Sequence, residues 1–309
     1  MHSSRSRVPG PARSWSRVTW TALTTVSVLV CAPPLRGDEA PAHEDSIPLA
    51  VADSVVIDTT ALAAAAIADT AGYSGIIPAG TREILPASPR PFGPGERLEF
   101  AVQYGPINAG TATLEVIDVR DYEGHKVYSL EAKAKSNRFI DKIYKVRNYI
   151  QSYMDRDRRY SWRYYEDRRE GGDTHRQEVV FDQQKREARY ADGSVVPIPA
   201  QSQDALSSFY FTRYLPLPIG GSVLFDYHAS HKSAPMEVKV IGRERIETPA
   251  GTFDCVIVEP KLNAGGVFKN KGRLWIWLTA DERRLPVQMK SKVSIGSVSV
   301  ILTGMRTGA

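Results

Sequence analysis

Cysteine is nearly absent: the 309 residues hold two, Cys31 and Cys255. That excludes a disulfide-rich scaffold and a four-cysteine metal centre. Histidine is scarce as well, six in all, and only His228 and His231 stand close together. Residues three apart on a strand point to opposite faces, and no Cys, Asp or Glu cluster nearby completes a ligand set. The expectation is a pair of surface histidines at a strand end and no metal. Phosphate-loop and dinucleotide fingerprints are missing, since Gly220–Gly221 and Gly265–Gly266 are isolated pairs without a strand-to-helix setting. Ser207 and Ser208 lie near Asp204 but outside any Gly-x-Ser-x-Gly elbow, and no histidine is placed by sequence to serve them, so a capping role for Asp204 is expected. Nothing selects a pair of catalytic carboxylates, and no cofactor is implied. Long hydrophobic runs are missing too, except at 18–32, which is shorter than the ~20 residues that cross a bilayer comfortably.

What is present begins with that run. Arg5, Arg7, Arg13 and Arg17 precede or border it, and Pro33 and Pro34 follow, the layout of a secretory signal peptide over 1–37 that is cleaved between Ala32 and Ala40. A lipid-modified Cys31 would want a small residue where Val30 stands, so removal is favoured over anchoring. Cys255 is then the single thiol, and export without a disulfide suits the bacterial envelope or periplasm. It lies in the apolar run 253–258, as a small buried hydrophobe does. Residues 38–93 are rich in Ala, Asp and Pro, have no Trp or Phe before Phe92, and read as a disordered linker.

From Pro94 the pattern changes to period two. Leu98, Phe100, Val102 and Tyr104 alternate with Glu99, Ala101 and Gln103, a half-buried strand, and turns at 105–110 and 121–124 continue a meander. Segment 139–144 has mixed periodicity and reads as a short helix or bend. Tyr160, Trp162 and Tyr164 share one face of a further strand, and 178–182 with 187–191 form a hairpin. The clearest helix is 204–214, with Asp204 as N-cap, Leu206, Phe209 and Tyr210 at helical spacing, and Pro216 past the end. Near the C-terminus Leu274, Ile276 and Leu278 alternate with Trp275 and Trp277, so both faces of one strand are apolar and both need cover. The prediction is a mainly β domain over 94–309, a single strongly curved antiparallel sheet or open β-barrel of about 10–12 strands with one or two short helices.

Two surfaces are candidates for binding. Trp275 and Trp277, with Phe209 and Tyr210 of the helix, either line a concavity or complete a core beneath the helix. Between Lys133 and Tyr190 there are 16 Lys or Arg against 10 Asp or Glu. Arg158, Arg159, Arg163 and Arg168 would there form a basic face, with Tyr160, Trp162 and Tyr164 stacking on sugars. Export argues against nucleic acid. The expected function is a non-enzymatic envelope protein that holds a lipid, lipoprotein or glycan in the concavity of a curved sheet. The alternative is a structural or partner-binding module that uses the basic aromatic face. An enzyme acting on envelope polysaccharide is the third reading, and it requires two acids, or an acid beside a histidine, in a cleft.

A series of short segments also resembles the bacterial domain of unknown function 3108 family. They are Pro94-Gly95-Glu96-Arg97, the turn Tyr104 to Gly110, and the helix Asp204 to Tyr210 with Arg213. The turn Thr248-Pro249-Ala250-Gly251-Thr252-Phe253, Trp277 to Asp281, and Arg284-Leu285-Pro286-Val287 complete the series. They span 94 to about 305 in order. The resemblance implies an exported, mainly β envelope protein and supplies no catalytic residue.

Overall fold

The computed structural model describes residues 90–262, 273–292 and 296–308. The leader 1–37 with Cys31, the linker up to residue 89 and the Gly265–Gly266 pair lie outside the described residues. Fourteen strands make one antiparallel sheet. They are β1 (Arg97–Tyr104), β2 (Ile107–Tyr122), β3 (His125–Ser136), β4 (Val146–Asp155), β5 (Ser161–Glu170), β6 (Asp173–Asp182) and β7 (Glu187–Tyr190). There follow β8 (Val195–Pro197), β9 (Ser222–Ala229), β10 (Lys232–Thr248), β11 (Gly251–Leu262), β12 (Arg273–Thr279), β13 (Pro286–Lys292) and β14 (Ser297–Arg306). Across the sheet they run from β8 down to β1, then from β14 down to β9, so the first and last strands pair in the middle. The count exceeds the expected ten to twelve because pieces such as the three-residue β8 are too short to show a period.

Helix α1 (Ala205–Thr212) connects the two edge strands, and a 3₁₀ turn, Ile140–Lys142, sits in the mixed segment between β3 and β4. The sheet curls around α1, as its pairings show. Residues opposite each other across a strand pair share a face, as do residues two apart on one strand. Starting from Ser152, this links Ile150, Ala132, Leu114, Leu98 and Phe100 to Leu302 and Val300. It continues through Met289, Ile276, Val258, Val240, Val238 and Val223 to Phe225. All of these are buried. The helix touches both extremes of the row: Ser152 Oγ donates to Asp204 Oδ2 at 2.6 Å, and the rings of Phe211 and Phe225 meet edge-on at 5.1 Å. An eight-residue helix is about 12 Å long. It reaches β4 and β9, which are far apart in the strand order, only if the sheet bends around it. Bulges, such as those at Val116/Asp118 and Val240/Gly242, supply part of that bend.

The sheet is not closed into a barrel. Segment 202–203 bridges the start of β5 and the edge strand β9 instead: Ser161 N–H donates to Ser202 O at 3.2 Å, Gln203 N–H to Asp226 O at 2.9 Å, and His228 N–H to Gln203 O at 2.9 Å.

The same pairing places the tryptophans. Ile276 and Leu278 point toward the helix, so Trp275 and Trp277 lie on the opposite face and not beneath it, yet Trp277 is buried in the main hydrophobic cluster and Trp275 packs against it. The expected common face of Tyr160, Trp162 and Tyr164 is also corrected. A bulge between Tyr153 and Met154 shifts the register, so Tyr164 joins the main core while Tyr160 and Trp162 pack with Val127 in a separate cluster. Residues 90–93, read as the end of the linker, belong to the packed fold. Phe92 is buried edge-on against Tyr128, Tyr210 and Tyr214.

Candidate functional site

The antiparallel order sends alternate turns to opposite ends of the curled sheet. The β2–β3, β4–β5, β6–β7, β10–β11 and β12–β13 turns share one end, and the β1–β2, β3–β4, β5–β6, β7–β8 and β9–β10 turns share the other.

The first end is plugged. Arg213, just past α1, donates to both oxygens of Glu96 at 2.6 and 2.8 Å and to the carbonyls of Pro91 and Arg283 at 2.9 Å each. Its side chain is 0% exposed and that of Glu96 2%, and its guanidinium lies 4.9 Å over the Phe92 ring. One side chain thus ties the segment before β1, the end of the helix and the β12–β13 turn together. Asp204 anchors the other end of α1. Its carboxylate accepts from Leu206 N and Ser207 N at 2.8 Å each and from the hydroxyls of Ser152 and Ser161 at 2.6 and 2.7 Å. Burial pushes its pKa up, against these hydrogen bonds. Ser207 completes a capping box and Ser208 Oγ donates to Ala205 O, so these groups hold a helix and no nucleophile is prepared.

The second end carries the rim. Asn137 N–H and Nδ2 donate to Ala109 O at 2.9 Å and Asn108 O at 2.6 Å, which fastens the β3–β4 connection to the β1–β2 hairpin. Asn137 Oδ1 also accepts from the backbone N–H groups of Phe139 and Ile140 at 3.0 Å, which starts the 3₁₀ turn. Asp141 is held by Ser136 Oγ at 2.5 Å and by both terminal nitrogens of Arg147 at 3.0 and 2.6 Å. The Arg147 hydrogen bond, followed by that of Ser136, lowers its pKa to about 2. On this fixed platform Phe139, Ile143 and Ile107 are 62%, 54% and 47% exposed. Three large apolar side chains thus stand in water on two loops that are hydrogen-bonded together. From Lys135 to Arg147 the chain carries five cations and one carboxylate, and Arg147 takes the carboxylate. Lys135, Arg138, Lys142 and Lys145 form no ion pair among the described residues.

Inside the same end, Glu166 and Glu170 are buried on β5. Glu166 Oε1 is 2.9 Å from His175 Nε2 and 3.5 Å from Arg168 Nε, and Oε2 accepts from Tyr164 at 2.6 Å. Asn148 Nδ2 donates to Glu170 at 2.6 Å. An acid does lie beside a histidine here, but within an ion-pair network that satisfies it. At the edge of the rim Tyr190 OH meets His228 Nε2 at 2.7 Å and accepts from His231 N–H at 2.7 Å, while the His231 ring stacks on Tyr190 at 3.6 Å. The expectation of two surface histidines fails for His228, which is 1% exposed. The chain turns at Ser230 and His231, both at positive φ, so the two rings approach Tyr190 from different directions. Burial lowers the pKa of His228 to about 4.

The remaining sequence candidates disperse. Arg163 and Arg168 are five apart on β5 and so occupy opposite faces, which breaks the expected basic face. Arg159 is buried with its guanidinium 4.6 Å over Tyr214, Arg163 bonds Glu178 and Gln151, and Arg158 is exposed. Trp277 donates its indole N–H to Glu244 at 2.7 Å, and Arg273 lies 4.7 Å over Trp275. Phe209 is half-buried and Tyr210 fully buried at the plugged end. Cys255 is buried and its thiol is pushed up to about 12 by that burial. A groove of about 390 Å³ on the outer face of β1 to β5 is lined by Arg97, Lys133, Lys135, Arg147, Tyr149 and Arg169. Most of its cations are already paired, Lys133 with Glu131, Arg97 with Glu115 and Arg169 with Asp167. Among the described residues no three His, Cys, Asp or Glu side chains are grouped as for a metal. No helix among them is long and apolar enough to cross a membrane.

Sequence reasoning missed the rim. Its one available signal was Phe139 and Ile143 four apart in a segment rich in Lys and Arg, with no strand period to bury them.

Comparison with known proteins places this architecture. A search of curated proteins finds no match. Among solved structures, the β-barrel-like DUF1849 protein of Brucella abortus is similar in fold, with a TM-score of 0.51 and 9% identity over 71% of this chain and 99% of its own. A DUF1089 family protein from Pseudomonas aeruginosa aligns with a TM-score of 0.33 and 12% identity, covering 60% of this chain and 90% of its own. A protein with a YmcC-like fold from Bacteroides fragilis aligns with a TM-score of 0.27 and 16% identity, covering 70% and 98%. The family model described as protein of unknown function (DUF3108) matches residues 99–303, most of the sheet and the helix between its edges, and the chain belongs to that family.

Proposed function

We propose that this is an exported, non-enzymatic protein of the bacterial envelope whose contact surface is the rim, where it engages an apolar or amphiphilic envelope component. The observation that carries the reading is the joint exposure of Ile107, Phe139 and Ile143 on two loops fastened to each other. Soluble proteins expose single apolar side chains freely, but a cluster at one end ringed with charge marks a site of interaction. The interior is less suited to a ligand, because α1, Phe92 and the buried Arg213–Glu96 pair occupy the face that the sheet encloses. The outer groove is a weaker candidate because its charges are largely matched. The uncharged leader run behind four arginines supports export.

The test is cell fractionation of a Phe139→Ser/Ile143→Ser variant. Both side chains are exposed, so the fold is expected to survive with an unchanged unfolding temperature, while association with envelope membranes falls. Undiminished association would reject the rim as the contact surface.

A further inference from the structure

We infer that the partner at the rim is the surface of an anionic phospholipid bilayer, which the β3–β4 connection enters with Phe139 and Ile143 leading. This rests on the reading of the rim as the contact surface and adds the partner's chemistry.

Three observations converge. The first is the pattern of the connection: Phe139 and Ile143 are four apart across the 3₁₀ turn Ile140–Lys142, and both project into solvent. Ile107 stands on the adjoining hairpin, so the apolar cluster has breadth as well as a tip. The second is charge. Arg138, Lys142 and Lys145 alternate with these apolar residues, Lys135 flanks them, and the one acid of the segment, Asp141, is taken up by Arg147. Apolar side chains at the tip with flexible cations around them match the two layers of a bilayer surface, acyl chains beneath and anionic phosphates above. A purely apolar partner would leave four cations facing nothing, and a glycan polymer would leave Phe139 and Ile143 in water. The third is rigidity. Asn137 holds the connection against the hairpin and the Asp141–Arg147 pair ties it to the start of β4, so inserting it costs little ordering of the loop.

The seating also orients the molecule. The rim faces the membrane, and the plugged end with Arg213 and Glu96 faces away.

The experiment is sedimentation of the purified protein with vesicles of phosphatidylcholine alone and with vesicles containing phosphatidylglycerol. Binding is expected to the anionic vesicles and to weaken as salt is raised, because the attraction is screened over about 10 Å at 0.1 M. Each cation near an anionic surface contributes about fivefold to partitioning, so Lys142→Gln/Lys145→Gln is expected to lose roughly 30-fold. Phe139→Ser/Ile143→Ser is expected to lose at least about tenfold. If the protein ignores anionic vesicles while its association with envelope membranes still depends on Phe139 and Ile143, the bilayer inference fails and the rim reading stands. If vesicle binding is strong but indifferent to both variants, both fail.

Discussion

Replacing Arg213 with methionine is the sharpest probe of how the sheet is held curled. The variant loses both hydrogen bonds to Glu96 and those to the carbonyls of Pro91 and Arg283, together with the stacking over Phe92. More costly is what stays behind: a Glu96 carboxylate that is 2% exposed and has lost its cation. Removing one partner of a buried pair typically costs about 3–5 kcal/mol, because the remaining charge has neither water nor counter-charge. That is a large fraction of the ~5–15 kcal/mol by which domains are usually stable. Glu96→Leu alone should cost a similar amount by stranding Arg213. The double variant Arg213→Met/Glu96→Leu buries no charge and should be more stable than either single variant, with a coupling of at least about 2 kcal/mol. Urea unfolding of the four proteins at pH 7 measures all of these quantities. If Arg213→Met costs under about 1 kcal/mol, or if the double variant is as unstable as the sum of the singles, the plug is not held by this pair.

Three further outcomes follow from the same structure. His228 has its pKa lowered by burial from 6.5 to about 4, so the unfolded chain binds the extra proton first as pH falls. The stability this neutral imidazole supplies is complete above pH ~6.5 and drains away toward pH ~4, about 3 kcal/mol in all. Urea midpoints across that window should fall more steeply in the parent than in His228→Asn. Asp204→Ala removes a helix cap and strands the buried Ser152 hydroxyl, while Ser161 keeps the backbone N–H of residue 204 and the Ser207 hydroxyl, an expected loss of roughly 2–4 kcal/mol by thermal or urea unfolding, with Asp204→Asn intermediate. Gly171 sits at φ 59, and a Cβ there would overlap the Tyr144 ring, so Gly171→Ala should push Tyr144 aside and disturb the rim. Weakened amide protection over residues 139–145 in hydrogen exchange would register it, and an unchanged pattern would contradict it.

Much of the sheet was legible in the sequence because alternation over eight or more residues has one good explanation. Leu98, Phe100 and Val102 all face the core as their spacing says. Asp204 was legible as a cap because its chemistry is local, and the capping box lies within four residues. What was not legible depends on partners distant in sequence. A bulge opposite Tyr153 sends Trp162 and Tyr164 to different clusters, and nothing in the alternation of β5 announces it. Trp275 and Trp277 proclaim an apolar face without saying which side the helix takes, since that is settled by pairing through β11 to β9. His228 was misread because Tyr190, 38 residues away, covers it. The basic residues 158–168 invited a common face, although the odd spacing of Arg163 and Arg168 already forbade one. The rim escaped because Phe139 and Ile143 are notable for being exposed, and exposure is decided by what fails to pack on them.

Photo-cross-linking in intact envelopes tests the central claim most directly. A photoreactive residue is placed in turn at Ile143 on the rim, at Tyr149 beside the outer groove and at Arg245 on the far half of the sheet. Adducts with envelope components are predicted to concentrate at position 143. Equal labelling at all three positions, or labelling led by 149 or 245, would contradict the account.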